Sequence, residues 1–80
     1  MVRKRYQLDN KRIGFFIKQR RLAREMSQEQ LANLAGLKNR ITISRLENGV
    51  NAPNLEVFNA LCQILDINPG ELLSKCRKRI

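Results

Sequence analysis

Arg40, Ile41, Ser44 and Arg45 are the residues of this chain whose types and spacing describe a chemistry. On a helix that turns about 100° per residue they share one side, while Ile43, Leu46 and Glu47 share another. A guanidinium donates two parallel hydrogen bonds to O6 and N7 of guanine, and an aliphatic side chain suits the methyl group of thymine. Arg40 and Arg45, with Ser44 between them, therefore suit the reading of base edges in DNA. The plain alternative is an ordinary charged helix face in water. For Ile41 two readings stand side by side: contact with a thymine methyl, or partial burial if the register is one residue off. Lys38 and Asn39 lie just ahead, within reach of a phosphate or a base edge.

Such a face needs elements to hold it. Ser27 is a good N-cap: its hydroxyl can accept from the Gln30 amide while the Gln30 side chain reaches back, so a helix is expected from Gln28. Leu31, Ala32, Leu34 and Ala35 give that helix an apolar stripe of about two turns, and Gly36 follows where a helix end needs positive φ. The small Ala32 and Ala35 let a second helix approach closely. After Leu37 and Lys38, Asn39 can cap that second helix. One of its faces packs and the other points outward.

Read together, SQEQLA, AG, TISRLENG, PNLEVFNALCQIL and INPGELL resemble the phage-repressor and Cro type of helix-turn-helix proteins over about Ile13 to Leu73. The resemblance implies an all-α, compact five-helix, lambda-repressor-like DNA-binding domain. It also implies a transcription regulator that reads operator DNA through the major groove, usually as a symmetric dimer. One departure matters. The family places five residues between the turn glycine and the buried aliphatic of the recognition helix, whereas six separate Gly36 from Ile43 here. Inside the helix the extra residue would rotate all that follows by about 100°, burying the Thr42 hydroxyl and exposing Ile43. Placing it in the turn, around Leu37 to Asn39, keeps Ile43 and Leu46 inside, and this is the placement expected.

A first helix is expected from Asp9 or Asn10 to Arg24, with Ile13, Phe16, Ile17 and either Arg20 or Arg21 toward the core. Asn54 can cap a fourth helix carrying Leu55, Phe58, Leu61, Cys62 and Leu65 at helical spacing. Asp66 stands where a helix-ending glycine is common, and Asn68 with Pro69 and Glu71 starts a fifth helix. Glu25 replaces the glycine usual in the family before the SQ motif, at a cost of up to about 1 kcal/mol or with a different helix ending. The expected organisation is a basic arm over 1–8, the helix-turn-helix domain over 9–76 and a basic tail over 77–80.

Eighty residues with 42% hydrophobic content allow one domain with a modest core. The formal charge of +9 crowds the first third and the end of the chain, a field that attracts polyanions and makes binding steep in salt. Cys62 and Cys76 are too few for a zinc site, and His is absent. Cys62 reads as a small core residue, and free thiols suit a cytoplasmic protein. No apolar run is long enough for a bilayer, and no signal peptide is evident. Cofactors, a small-molecule ligand and a membrane are not expected.

The resemblance assigns further roles. Glu47 is expected to pair with Arg21 and fix the angle between helices. Gln28, Asn48 and Gly49 take positions that commonly contact phosphates, and Lys38 and Arg20 join them as expected phosphate contacts. Asn39 joins Arg40, Ile41, Ser44 and Arg45 as an expected base contact. The plainer roles are a polar helix start for Gln28 and a helix C-cap for Asn48 and Gly49. Leu72, Leu73, Cys76 and Ile80 form an apolar stripe on which a homodimer is expected; alternatively Leu72 and Leu73 only complete the core. Val2 to Arg5 read as an arm along DNA or a disordered tail.

Double-stranded operator DNA is thus the expected partner, through a dimeric repressor or operon controller of phage, mobile-element or restriction-modification type. The alternative is an antitoxin that binds a protein toxin and autoregulates its operon. An enzyme fits poorly, because no metal constellation, phosphate-cradling loop or activated nucleophile pattern is present.

Overall fold

The computed structural model describes residues 6–79. Five helices follow one another, α1 (Asn10–Ala23), α2 (Gln28–Leu34), α3 (Ile41–Glu47), α4 (Leu55–Leu65) and α5 (Pro69–Lys75), flanked by two short strands, β1 (Tyr6–Leu8) and β2 (Arg77–Arg79). None of these helices is long and apolar enough to cross a membrane.

Helix starts follow the side chains that satisfy free backbone amides. Asp9 accepts from the amides of Lys11 and Arg12 at 3.1 and 3.3 Å. Ser27 and Gln30 close the expected capping box, at 3.0 and 2.8 Å. Asn54 and Asn68 cap α4 and α5 through the amides of Val57 and Glu71.

Helix ends share one device. After each of α1 to α4 the chain turns through a residue of positive φ: Glu25, Gly36, Gly49 and Asp66. In each case the next amide donates back five residues: Met26 to Arg21, Leu37 to Ala32, Val50 to Arg45, and Ile67 to Cys62. This double-bonded ending satisfies carbonyls that a helix C-terminus otherwise leaves open. Glu25 thus keeps the left-handed ending that glycine usually provides, and does so at φ 57°.

The core gathers Ile13 and Ile17 of α1, Leu31 and Ala32 of α2, Ile43 and Leu46 of α3, Phe58, Leu61, Cys62 and Leu65 of α4, then Leu72 and Cys76. Phe16 and Ala35 are only half-buried against it. Two members of the expected apolar stripes are exposed instead, Leu34 on α2 and Leu55 at the first turn of α4. Each lies at a helix end, where the neighbouring elements have already diverged.

The arm and tail depart from expectation. Tyr6–Leu8 pairs antiparallel with Arg77–Arg79, Tyr6 opposite Arg79 and Leu8 opposite Arg77. The Asp9 amide donates to the Cys76 carbonyl at 2.6 Å, so the start of α1 and the end of α5 lie side by side. Their flanking segments then pair and satisfy backbone groups that two separate tails would leave to water. Val2 to Arg5 and Ile80 lie outside the described residues.

Candidate nucleic-acid interface

The crossing of α1 over α3 sets the site. A Cβ on Gly14 would overlap the Leu46 carbonyl oxygen and lie 2.7 Å from that of Glu47, so the two helix backbones touch where α1 has no side chain. The sequence reading passed over Gly14, although a glycine beside the core positions Ile13 and Ile17 was its signal. A second close approach brings Gly49 against Lys11.

Beneath this crossing lies a polar knot. Arg21 donates through Nε to Glu47 Oε2 at 2.7 Å and through Nη2 to Oε1 at 3.1 Å. Its Nη1 donates to the Met26 carbonyl at 2.6 Å. Gln28 Nε2 donates to Glu47 Oε1 at 3.0 Å. The Arg21 and Glu47 side chains are 8% and 1% exposed, so a charged pair holds α1, α2 and α3 from inside. Paired and hydrogen-bonded on both sides, it meets the condition under which a buried charge is tolerated.

This resolves the choice between neighbouring arginines. Arg21 enters the core, whereas Arg20 donates from Nη2 to the carbonyls of Leu65 and Asp66 at 3.0 and 2.7 Å, holding the end of α4. Arg20 is committed there and does not join the α3 face as an expected phosphate contact. Gln28, also expected at a phosphate, turns its amide nitrogen onto Glu47 and braces the knot.

The turn between α2 and α3 absorbs the extra residue. Leu37 ends the double-bonded turn of α2 and packs partly against the core, after which Lys38 and Asn39 run exposed. Asn39 Oδ1 accepts the Ile41 amide at 2.9 Å, while Arg40 already has helical backbone angles. Asn39 therefore caps as expected, but the helix proper opens at Ile41 rather than directly after Asn39. Ile43 and Leu46 are buried and Thr42 is exposed, the register that a lengthened turn requires.

The outward face of α3 carries exposed Arg40, Ile41, Thr42 and Arg45, with Ser44 half-buried at its margin. Ile41 is 51% exposed. No ion pair among the described residues involves Lys38, Arg40 or Arg45. Thr42 was absent from the expected site; it was weighed only as a residue of the wrong register, and its exposure beside Ile41 adds it to this face. Asn48 and Gly49 close α3, Gly49 at φ 73° with its amide donating to Leu46. The helix-capping role is thereby filled.

The expected dimer stripe does not survive as a surface. Leu72 and Cys76 are each 1% exposed and belong to the core of the chain itself, Leu73 is half-buried, and Ile80 lies outside the described residues. The four residues do not form one exposed stripe because α5 is a short helix that must turn its apolar side inward to close the bundle. Burial also pushes the thiols of Cys62 and Cys76 up; at Cys76 the charges of Arg12, Asp9 and Lys75 act in addition.

Comparison with known proteins agrees with this geometry. A helix-turn-helix family model matches residues 17–72. The restriction-modification controller protein C.AhdI from Aeromonas hydrophila is 36% identical with a TM-score of 0.72, over 80% of this chain and 96% of that one. The P22 c2 repressor protein, solved in complex with synthetic operator, is 31% identical with a TM-score of 0.72, over 84% of this chain and 94% of its own. A mutant of the restriction-modification controller protein C.Esp1396I is 26% identical with a TM-score of 0.71, over 86% and 90%. A search of curated protein sequences gave no significant match.

Proposed function

This chain belongs to the helix-turn-helix family of DNA-binding transcription regulators, and from that membership we propose that it reads a specific operator as a homodimer, laying α3 in the major groove. The observation that carries the reading is Ile41, half-exposed between the unpaired cations Arg40 and Arg45 on a helix whose other side is fully packed. Leaving an aliphatic side chain in water gains nothing for the fold, whereas a thymine methyl would cover it. Arg40, Ile41, Thr42, Ser44 and Arg45 are the base-reading set. Lys38, Asn48 and Gly49 are placed along the phosphates, which position the protein without reading sequence.

One such helix spans few base pairs, so specificity comes from two copies on half-sites about 34 Å apart. Leu73 keeps exposed surface for that pairing, beside exposed Leu8 and Leu55. Control of a restriction-modification operon is the favoured setting, because this chain covers 96% and 90% of two such controllers.

Selection of random DNA by the purified protein, followed by sequencing, tests the reading. The expected result is a two-fold symmetric motif, bound at least about 1,000 times more tightly than random DNA at physiological salt. Recovery of no enriched motif would overturn it.

A further inference from the structure

The chemistry of the α3 face fixes which atoms of a base it can recognise. Lys38, Arg40 and Arg45 offer only N–H donors and no acceptor. Asn39 is the one carboxamide at the opening of α3, and its oxygen already holds the Ile41 amide at 2.9 Å, leaving its NH2 as the outward group. The one carboxylate of α3, Glu47, is turned inward onto Arg21 and Gln28. Between Gly36 and Leu46 the sequence holds no Asp, Glu or Gln. Thr42 and Ser44 hydroxyls both donate and accept, so they do not decide the choice. Asn48 stands at the far end of the helix, beyond the segment that meets base edges in such motifs.

In the major groove, guanine shows two acceptors, O6 and N7, and thymine an acceptor and a methyl group. Adenine and cytosine are distinguished by the exocyclic amines N6 and N4, which need an acceptor on the protein. A face of donors around one aliphatic side chain matches the first pair of bases and not the second.

Resting on the operator-reading function above, we propose that this protein recognises its half-site through the acceptor edges of guanine, opposite Arg40 and Arg45, and a thymine methyl opposite Ile41, with no contact to the amines of adenine or cytosine. The position of Asn39 is central to the proposal. An asparagine with both amide atoms available reads adenine through N6 and N7. Here the lengthened turn spends the oxygen on starting the helix.

The test uses base analogues in the selected operator, with binding of the full chain followed by fluorescence anisotropy at fixed salt. Replacing the half-site guanines by 7-deazaguanine removes N7 and is expected to weaken binding about tenfold per critical position. Replacing adenines by purine, or cytosines by a pyrimidinone lacking N4, removes the amines and is expected to leave affinity within about twofold. Weakening of more than about threefold on removal of an amine overturns the proposal, as does indifference to every 7-deazaguanine. Either result leaves a sequence-specific reader in place. Failure to select any motif overturns the reading beneath it instead, so the two failures are distinct.

Discussion

Arg21 and Glu47 are joined by two hydrogen bonds, of 2.7 and 3.1 Å, across 26 residues of sequence in the interior of the domain. Glu47 also accepts from Gln28, so one carboxylate orients three helices. The pair adds little net stability over a well-packed apolar substitute, because desolvation offsets attraction; breaking it is another matter. Arg21→Met is expected to lower stability by about 3–5 kcal/mol, leaving a buried carboxylate without its cation. Arg21→Met with Glu47→Leu is expected to recover much of that loss. Thermal denaturation of both variants checks the pattern, and an Arg21→Met protein as stable as the parent would remove the bracing role.

At Gly14 the prediction concerns backbone proximity. A methyl group there meets carbonyl oxygens of α3 rather than a side chain that could swing aside. Gly14→Ala is expected to cost about 1–3 kcal/mol or more through overpacking, despite the better helix propensity of alanine. Urea denaturation measures it; a gain in stability would show that α1 and α3 are less closely apposed.

Arg45 makes no ion pair with a described residue and points outward. Arg45→Ala is therefore expected to leave the melting temperature within about 2 °C while weakening operator binding by about 1–3 kcal/mol and relaxing preference at one base position. Lys38→Ala should instead weaken all sequences evenly and flatten the salt dependence. Titrations against the selected operator and a scrambled duplex at several salt concentrations separate the two patterns.

Glu25 adopts φ 57° on the surface, a conformation that costs an L-residue about 1–2 kcal/mol and glycine almost nothing. Glu25→Gly is expected to raise the melting temperature by several degrees, since about 1 kcal/mol shifts a domain of this size by about 4–8 °C. A lower melting temperature would show that the Glu25 side chain contributes more than its backbone costs.

Cys62 and Cys76 are free and buried, and burial pushes both thiols up from their ordinary range. The native state thus favours the protonated thiol. Below the ordinary thiol pKa of about 8.5 this stabilisation is fully present. As pH rises through that value the unfolded chain ionises first, and stability falls until the native thiols ionise too. The melting temperature is expected to drop between about pH 8.5 and 10, and the Cys62→Ala/Cys76→Ala variant to show a shallower drop over the same window. Equal slopes would exclude the thiols as the cause.

Much of the local structure was legible because its causes are local. Ser27 with Gln30, Asn54, Asn68 and Pro69 each satisfy backbone amides a few residues away, so their types and spacing suffice to place four helix starts together with Asp9. Gly36 and Asp66 mark helix ends for the same reason. The register of α3 was legible by counting, since a residue added inside a helix would rotate Ile43 out of the core while one added in the turn would not.

Side-chain partners across the fold belong to the tertiary structure. Arg20 and Arg21 are chemically identical neighbours, and only the crossing of α1 over α3 sends one to Glu47 and the other to the end of α4. Gln28 and Asn39 carry amides suited to DNA, yet each is drawn to a group in its own chain, Glu47 and the Ile41 amide. Leu72 and Cys76 share an apolar stripe that sequence cannot divide between core and surface, because helical periodicity is the same in both. The pairing of Tyr6–Leu8 with Arg77–Arg79 arises because α1 begins where α5 ends, a proximity that no local pattern records. The sequence determined which helices form and what kind of face α3 offers; the packed structure decided which polar atoms remain free on that face, and hence which bases it is able to read.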